Sequence, residues 1–229
     1  MCFEILKSSV GKKVVMAVTG VFLSLFVIAH LLGNLQIFLG PEALNEYAEH
    51  LEELPFLLWP ARVILLSALA LHVVTALCLA VENKKARPIP YGYQNTVQAS
   101  YASRTMVASG FIVLAFILYH LLHFTFGVTH PQFSRLRDPK GLEDVYSMVV
   151  LSFRDWKVSL SYVAAMALLA FHLSHGFSSL FQSLGLNNDA WKNKLEKGGV
   201  LAAFLIFLGY SSIPLAALLG WVKPLQGGF

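Results

Sequence analysis

AFHLSHGFSSLFQSLG, residues 170–185, lies inside a run from Val158 to Asn188 that contains no Asp, Glu, Lys or Arg. A charge-free run of that length predicts a membrane-spanning helix. Within it stand two ionisable side chains, His172 and His175. An ionisable group inside a span is costly and by default marks a functional contact with a partner. Gly176 follows His172 by four residues, so it lies on the same helical face one turn along. A histidine with a side-chain-free patch beside it suits a flat, bulky ligand. A histidine hydrogen-bonded to a neighbouring helix accounts for the same residues, and the rest of the chain decides between the two.

The surrounding composition agrees with a membrane setting. Of 229 residues, 56% are hydrophobic and 13% charged, about half the charged fraction of a soluble domain. Cys2 and Cys78 provide no disulfide framework, and no C-x-x-C-H motif is present for covalent haem attachment. The net charge of +4 calls for no nucleic-acid partner, because membrane proteins gather Lys and Arg in cytoplasmic loops.

Read in order, the chain predicts an all-α membrane protein, a single domain over residues 1–229 with five transmembrane helices. Their expected bounds are about 14–39, 60–82, 104–129, 157–186 and 198–222. The first apolar run is too long for a signal peptide and has no small-residue cleavage site. Gly40-Pro41 ends it, and the acidic segment that follows, with Glu42, Glu46, Glu49, Glu52 and Glu53, fits a short surface helix. A basic, proline-containing turn follows the second span. The polar loop after the third span carries a potential interfacial helix within residues 141–153. Lys7, Lys12, Lys13, Lys84, Lys85, Arg87, Arg104, Lys192, Lys194 and Lys197 fall on one side of this arrangement. They form the majority of the basic residues, which puts the N-terminus in the cytoplasm.

The first four spans each carry histidine: His30, His72, His120 with His123, and His172 with His175. At about 1.5 Å per residue, His30 and His120 each stand about 24 Å from the cytoplasmic side. His72 stands about 14 Å from it, and His172 about 15–18 Å. The histidines therefore sort into an outer pair, His30 with His120, and an inner pair, His72 with His172. Two imidazoles on different helices at a common level are what six-coordinate haem iron requires. Filling both axial positions assigns such a haem to electron transfer. Zinc is disfavoured, because its sites gather three or four close protein ligands. His123 and His175 each follow a candidate ligand by three residues. Three roles stay open to them: replacing that ligand, bonding a haem propionate, or facing a neighbouring helix. Gly33, Gly110 and Gly176 leave room for a macrocycle, or serve ordinary helix packing. Arg104, at the start of the third span, is a candidate partner for an inner-haem propionate and equally a topology-setting charge. His50 and His130 fall in aqueous connections, where a solvated surface role is the default.

Taken in order, His30-x-x-Gly33-Asn34, His72, Tyr119-His120-Leu121 and Phe171-His172-Leu173-Ser174-His175-Gly176 resemble the five-helix, dihaem cytochrome b anchor subunit of succinate dehydrogenases and fumarate reductases. The resemblance runs from Lys12 to the fifth span. It implies two haems b, with His30 and His120 holding the distal one and His72 and His172 the proximal one. It also implies a flavoprotein and an iron–sulfur subunit docked on the cytoplasmic face of a bacterial inner membrane. Electrons then pass to a quinone in the lipid, with menaquinone the expected one. Some members use a carboxylate near the outer end of the second span for the quinol proton, and Glu46 or Glu49 is the nearest match. A second carboxylate, beside the ligand of the fourth span in part of the family, is absent, with Ala170 and Phe171 there. The cytochrome b of a membrane hydrogenase or formate dehydrogenase, and a transporter with a histidine relay, are the competing readings. The latter class favours broken helices and repeats, and neither is evident.

Overall fold

The structure, a computed structural model, describes residues 7–86, 101–186 and 188–225. Cys2, Arg87 and the proline-containing part of the turn after the second span lie outside the described residues. The described chain is helical, and five of its helices are long and apolar enough to cross a membrane. Large apolar side chains such as Leu25, Leu66, Phe111 and Leu205 are more than half exposed along them, as a lipid-facing surface requires. The chain is a multi-pass membrane protein.

Helix α1 (Ser9–Asn34) continues as one 3-10 turn (Leu35–Leu39). Gly40, at φ 112°, adopts a backbone conformation that a side chain would strain. Pro41 then opens α2 (Pro41–Glu52) from the first helical position, where its missing N–H costs nothing. This is the surface helix expected of the acidic segment. Helix α3 (Pro55–Lys85) begins earlier than the expected span, because Pro60 is carried inside it rather than starting it. After the short α4 (Tyr101–Arg104), α5 (Met106–His120) passes into a π-helical turn, Leu121–Thr125. Phe126 N–H closes that turn on the Leu121 carbonyl at 2.8 Å. The helix expected within residues 141–153 is α6 (Val145–Arg154), followed by α7 (Trp156–Ser183) and α8 (Asp189–Leu218). Helix α8 starts some nine residues ahead of the expected fifth span, and the basic segment Lys192–Lys197 lies within it.

The contacts divide the chain into two compact units, and the cut runs through the long helices. The first unit comprises residues 1–26, 62–111 and 170–204. Its buried side chains are mostly small or polar, among them Ala17, Thr19, Ala68, Thr75, Ser109 and Ala203. Lys12 is also buried there, ion-paired with the half-exposed Glu82. An enclosed ammonium is tolerated when it is paired in this way.

The second unit comprises residues 27–61, 112–169 and 205–229. It has a continuous core in which Ile37, Tyr146, Val150, Phe153, Tyr162 and Ile213 participate. Helix α6 is fixed there by a reciprocal lock. Asp144 caps it by accepting from Ser147 N–H at 2.9 Å, and also accepts from the Asn45 amide at 3.1 Å. Asn45 in turn accepts from Tyr146 N–H at 2.9 Å. Both side chains are buried, so every bond in the lock replaces one otherwise made to water.

Candidate functional site

In the first unit, α3 presents His72 and α7 presents His172, with ring centroids 6.4 Å apart and planes at 63°. The two rings are held by matching devices on two other helices. His72 Nδ1 lies 3.2 Å from the Met16 carbonyl and 3.2 Å from Thr19 Oγ1. A carbonyl only accepts, so Nδ1 carries the proton and the lone pair is left on Nε2. The Thr19 hydroxyl spends its own proton on the Val15 carbonyl at 2.8 Å, and so accepts from the imidazole.

His172 repeats the pattern. Its Nδ1 is 3.2 Å from Ser109 Oγ, which donates to the Met106 carbonyl at 3.1 Å. With the Ser109 proton spent on Met106, the hydroxyl accepts from His172 Nδ1, and the lone pair in that arrangement lies on Nε2. A glycine stands beside each hydroxyl. A methyl group at Gly20 would lie 3.5 Å from His72 Cε1, and one at Gly110 would lie 3.5 Å from His172 Cε1. A larger side chain at either position would push the ring.

Arg104 is exposed, with its guanidinium 5.9 Å from the Tyr101 ring centre. His175 is half-buried one turn after His172, and Gly176 has no neighbour within 4 Å of where a Cβ would sit.

In the second unit, His30 of α1 and His120 at the end of α5 face each other with centroids 5.9 Å apart and planes at 83°. The His30 ring lies 6.3 Å from that of Tyr210, whose hydroxyl is anchored on the Val27 carbonyl at 2.7 Å. His120 Nδ1 is 3.5 Å from Tyr162 Oη, and the same oxygen lies 2.9 Å from His123 Nδ1. His123 is 2% exposed. His130, partly exposed on its loop, lies 4.9 Å from the His123 ring and stacks on Phe133. Gly33 lies against Tyr47, whose ring would be 2.8 Å from an added Cβ; its lack of a side chain accommodates that tyrosine. Glu46 is exposed and shares Lys140 with Glu42, at 2.8 Å on its own side, while Glu49 is half-buried on the same helix. Those two carboxylates hold the Lys140 amine well above the ordinary lysine range.

These distances bear on what each pair can hold. An imidazole centre stands roughly 3 Å from a metal bound at about 2 Å, so two rings opposed across one metal lie roughly 6 Å apart. Both pairs fall at that spacing. Among the described residues, no three or more His, Cys, Asp or Glu gather as a ligand group. Two imidazoles therefore suit a metal whose other positions are filled by its own macrocycle. The orienting residues Thr19, Ser109 and Tyr162 escape sequence reasoning, although the chain carries one signal of them. Thr19-Gly20 precedes His30, and Ser109-Gly110 precedes His120, by the same eleven residues, about three helical turns. Comparison with models of protein families, with curated proteins and with solved structures finds no match for this chain.

Proposed function

We propose that the chain is the haem-bearing, quinone-reactive membrane anchor of a succinate:quinone oxidoreductase. The observation that carries this reading is the pair of opposed histidines in each unit, at 6.4 Å and 5.9 Å. In the first unit the Met16 carbonyl at His72 Nδ1 puts that ring's lone pair on Nε2, the atom that would ligate a metal. His72 and His172 hold one haem b, and His30 and His120 the other. When bound, each haem would supply a one-electron carrier.

The chain's own residues supply orientation and surroundings. Met16 fixes the tautomer of His72, Thr19 and Ser109 contact the Nδ1 atoms of the first pair, and Tyr162 contacts the Nδ1 of one member of the second. The Lys/Arg distribution supports a cytoplasmic N-terminus. The flavoprotein and iron–sulfur partners then dock on the side of the first pair, and membrane quinone, menaquinone by resemblance, reacts near the second. Dicarboxylate chemistry belongs to the partners. Purification from the native membrane tests the whole reading. The expected result is a b-type absorption spectrum together with co-purifying flavin and iron–sulfur subunits. A hydrogenase or formate dehydrogenase partner would reassign the complex, and a colourless protein would remove the haem reading.

A further inference from the structure

We propose that His123 is a hydrogen-bond donor that binds a carbonyl oxygen of quinone through its Nε2–H. This inference rests on the haem and quinone reading above and adds a residue to it. The starting point is the Tyr162 hydroxyl, which stands between two imidazole nitrogens, 3.5 Å from His120 Nδ1 and 2.9 Å from His123 Nδ1. A phenol has one proton to give. A His120 that ligates through Nε2 carries its proton on Nδ1, and the Tyr162 oxygen accepts it. The phenol proton is then donated to His123 Nδ1. A neutral His123 is left with its own proton on Nε2, because the hydrogen bond at one ring nitrogen fixes the state of the other.

That Nε2 is enclosed by the protein and has no hydrogen-bond partner among the described residues. A buried donor without an acceptor is destabilising, so the position calls for an acceptor that the described residues do not provide. The surroundings indicate which kind. His123 stacks on Phe124 at 4.0 Å and 20°, and the Tyr119 and Tyr162 rings lie 5.6 and 5.7 Å away. Uncharged rings on several sides suit a neutral carbonyl on a flat molecule better than a carboxylate, whose charge would be desolvated there. The π-helical turn Leu121–Thr125 carries His123, and π-turns recur at functional sites. Leu122 on that turn and Phe126 just beyond it are 44% and 67% exposed, so the turn that buries His123 presents other side chains to the lipid-facing surface where a tailed quinone travels.

Menadione, a tailless naphthoquinone, is titrated calorimetrically into the purified haem-loaded complex, with haem content and both haem midpoint potentials measured in parallel. His123→Phe is expected to weaken binding about tenfold, the loss of one hydrogen bond, with haem content and potentials unchanged. His123→Gln retains an N–H donor and is expected to bind within about threefold of the parent. Unchanged binding in His123→Phe overturns the proposal. So does a shifted potential with unchanged binding, which would give the donor to a haem propionate, and so does loss of a haem, which would make His123 a ligand. If His123→Phe yields no complex, Tyr162→Phe keeps His123 but releases its tautomer, and about threefold weaker binding is expected; unchanged binding there also overturns the proposal. A parent complex that carries two haems but binds no menadione refutes the quinone reading itself.

Discussion

The two units set the same pair of rings in different surroundings. In the first, the interior is small and hydroxyl-bearing, and each Nδ1 meets a side-chain hydroxyl, with a backbone carbonyl added at His72. In the second, the interior is aromatic, and one phenol is shared between His120 and His123. A carbonyl acceptor leaves a single tautomer available, whereas a phenol donates or accepts as its neighbours require. His72 in the first unit is thus held in one state by the Met16 carbonyl, while His172 meets the Ser109 hydroxyl alone. The second unit links His120 through one phenol to His123, close to the loop that bears His130. On the proposed function, the first pair would serve as the relay position and the second as the terminus where electrons meet a proton-coupled substrate.

The largest predicted effects test whether the pairs are independent. His72→Ala or His172→Ala is expected to lower the haem content to about half, and His30→Ala or His120→Ala to do the same while sparing the other haem's spectrum. Loss of both haems from any single change would show one cofactor site rather than two. Next in size is the lock of the second unit. Asn45→Ala leaves the buried Asp144 and Tyr146 N–H each short of a partner. Thermal unfolding should report about 2–3 kcal/mol of lost stability. The haem bound by His72 and His172 is expected to be the last retained on heating.

Thr19→Val and Ser109→Ala probe the first unit more gently. Each removes an acceptor from an imidazole Nδ1 and is expected to weaken haem retention there by about tenfold, since orienting partners of ligating histidines act at that scale. Equal effects on both haems would deny the assignment of these hydroxyls to one pair. The smallest effect belongs to Lys140, which bridges Glu42 and Glu46 on the exposed face of α2. Its amine pKa is raised by those carboxylates. A group raised on folding stabilises below its unfolded value and loses that contribution only as pH climbs through the folded one. Thermal stability should therefore be flat from about pH 6 to 9 as far as this cluster is concerned. Lys140→Ala is expected to lower it slightly, and not at all at high salt.

Residues that sort by position along the chain are legible in the sequence itself. Helical rise alone groups His30 with His120 and His72 with His172, because four long apolar runs fix depth to within a turn. The surface helix α2 is equally readable from its run of Leu and Glu. What the sequence hides is partnership across distance. Asn45 meets Asp144 ninety-nine positions away, and Tyr162 meets His123 thirty-nine positions away, with no local pattern to announce either. Thr19 and Ser109 are masked for another reason: a hydroxyl in a helix ordinarily bonds its own preceding turn, and both do that as well. Glu46 reads as a proton candidate from its place in the chain, yet its carboxylate is paired with Lys140, ninety-four positions on.

The central claim is that this chain holds two haems, each between two histidines. A pyridine haemochrome assay on the purified protein, set against its polypeptide concentration, tests it most directly. The account predicts a ratio close to two haems b per chain, falling to about one when His72 or His172 is replaced. A parent ratio near one would remove one of the pairs, and a ratio near zero would contradict the account outright.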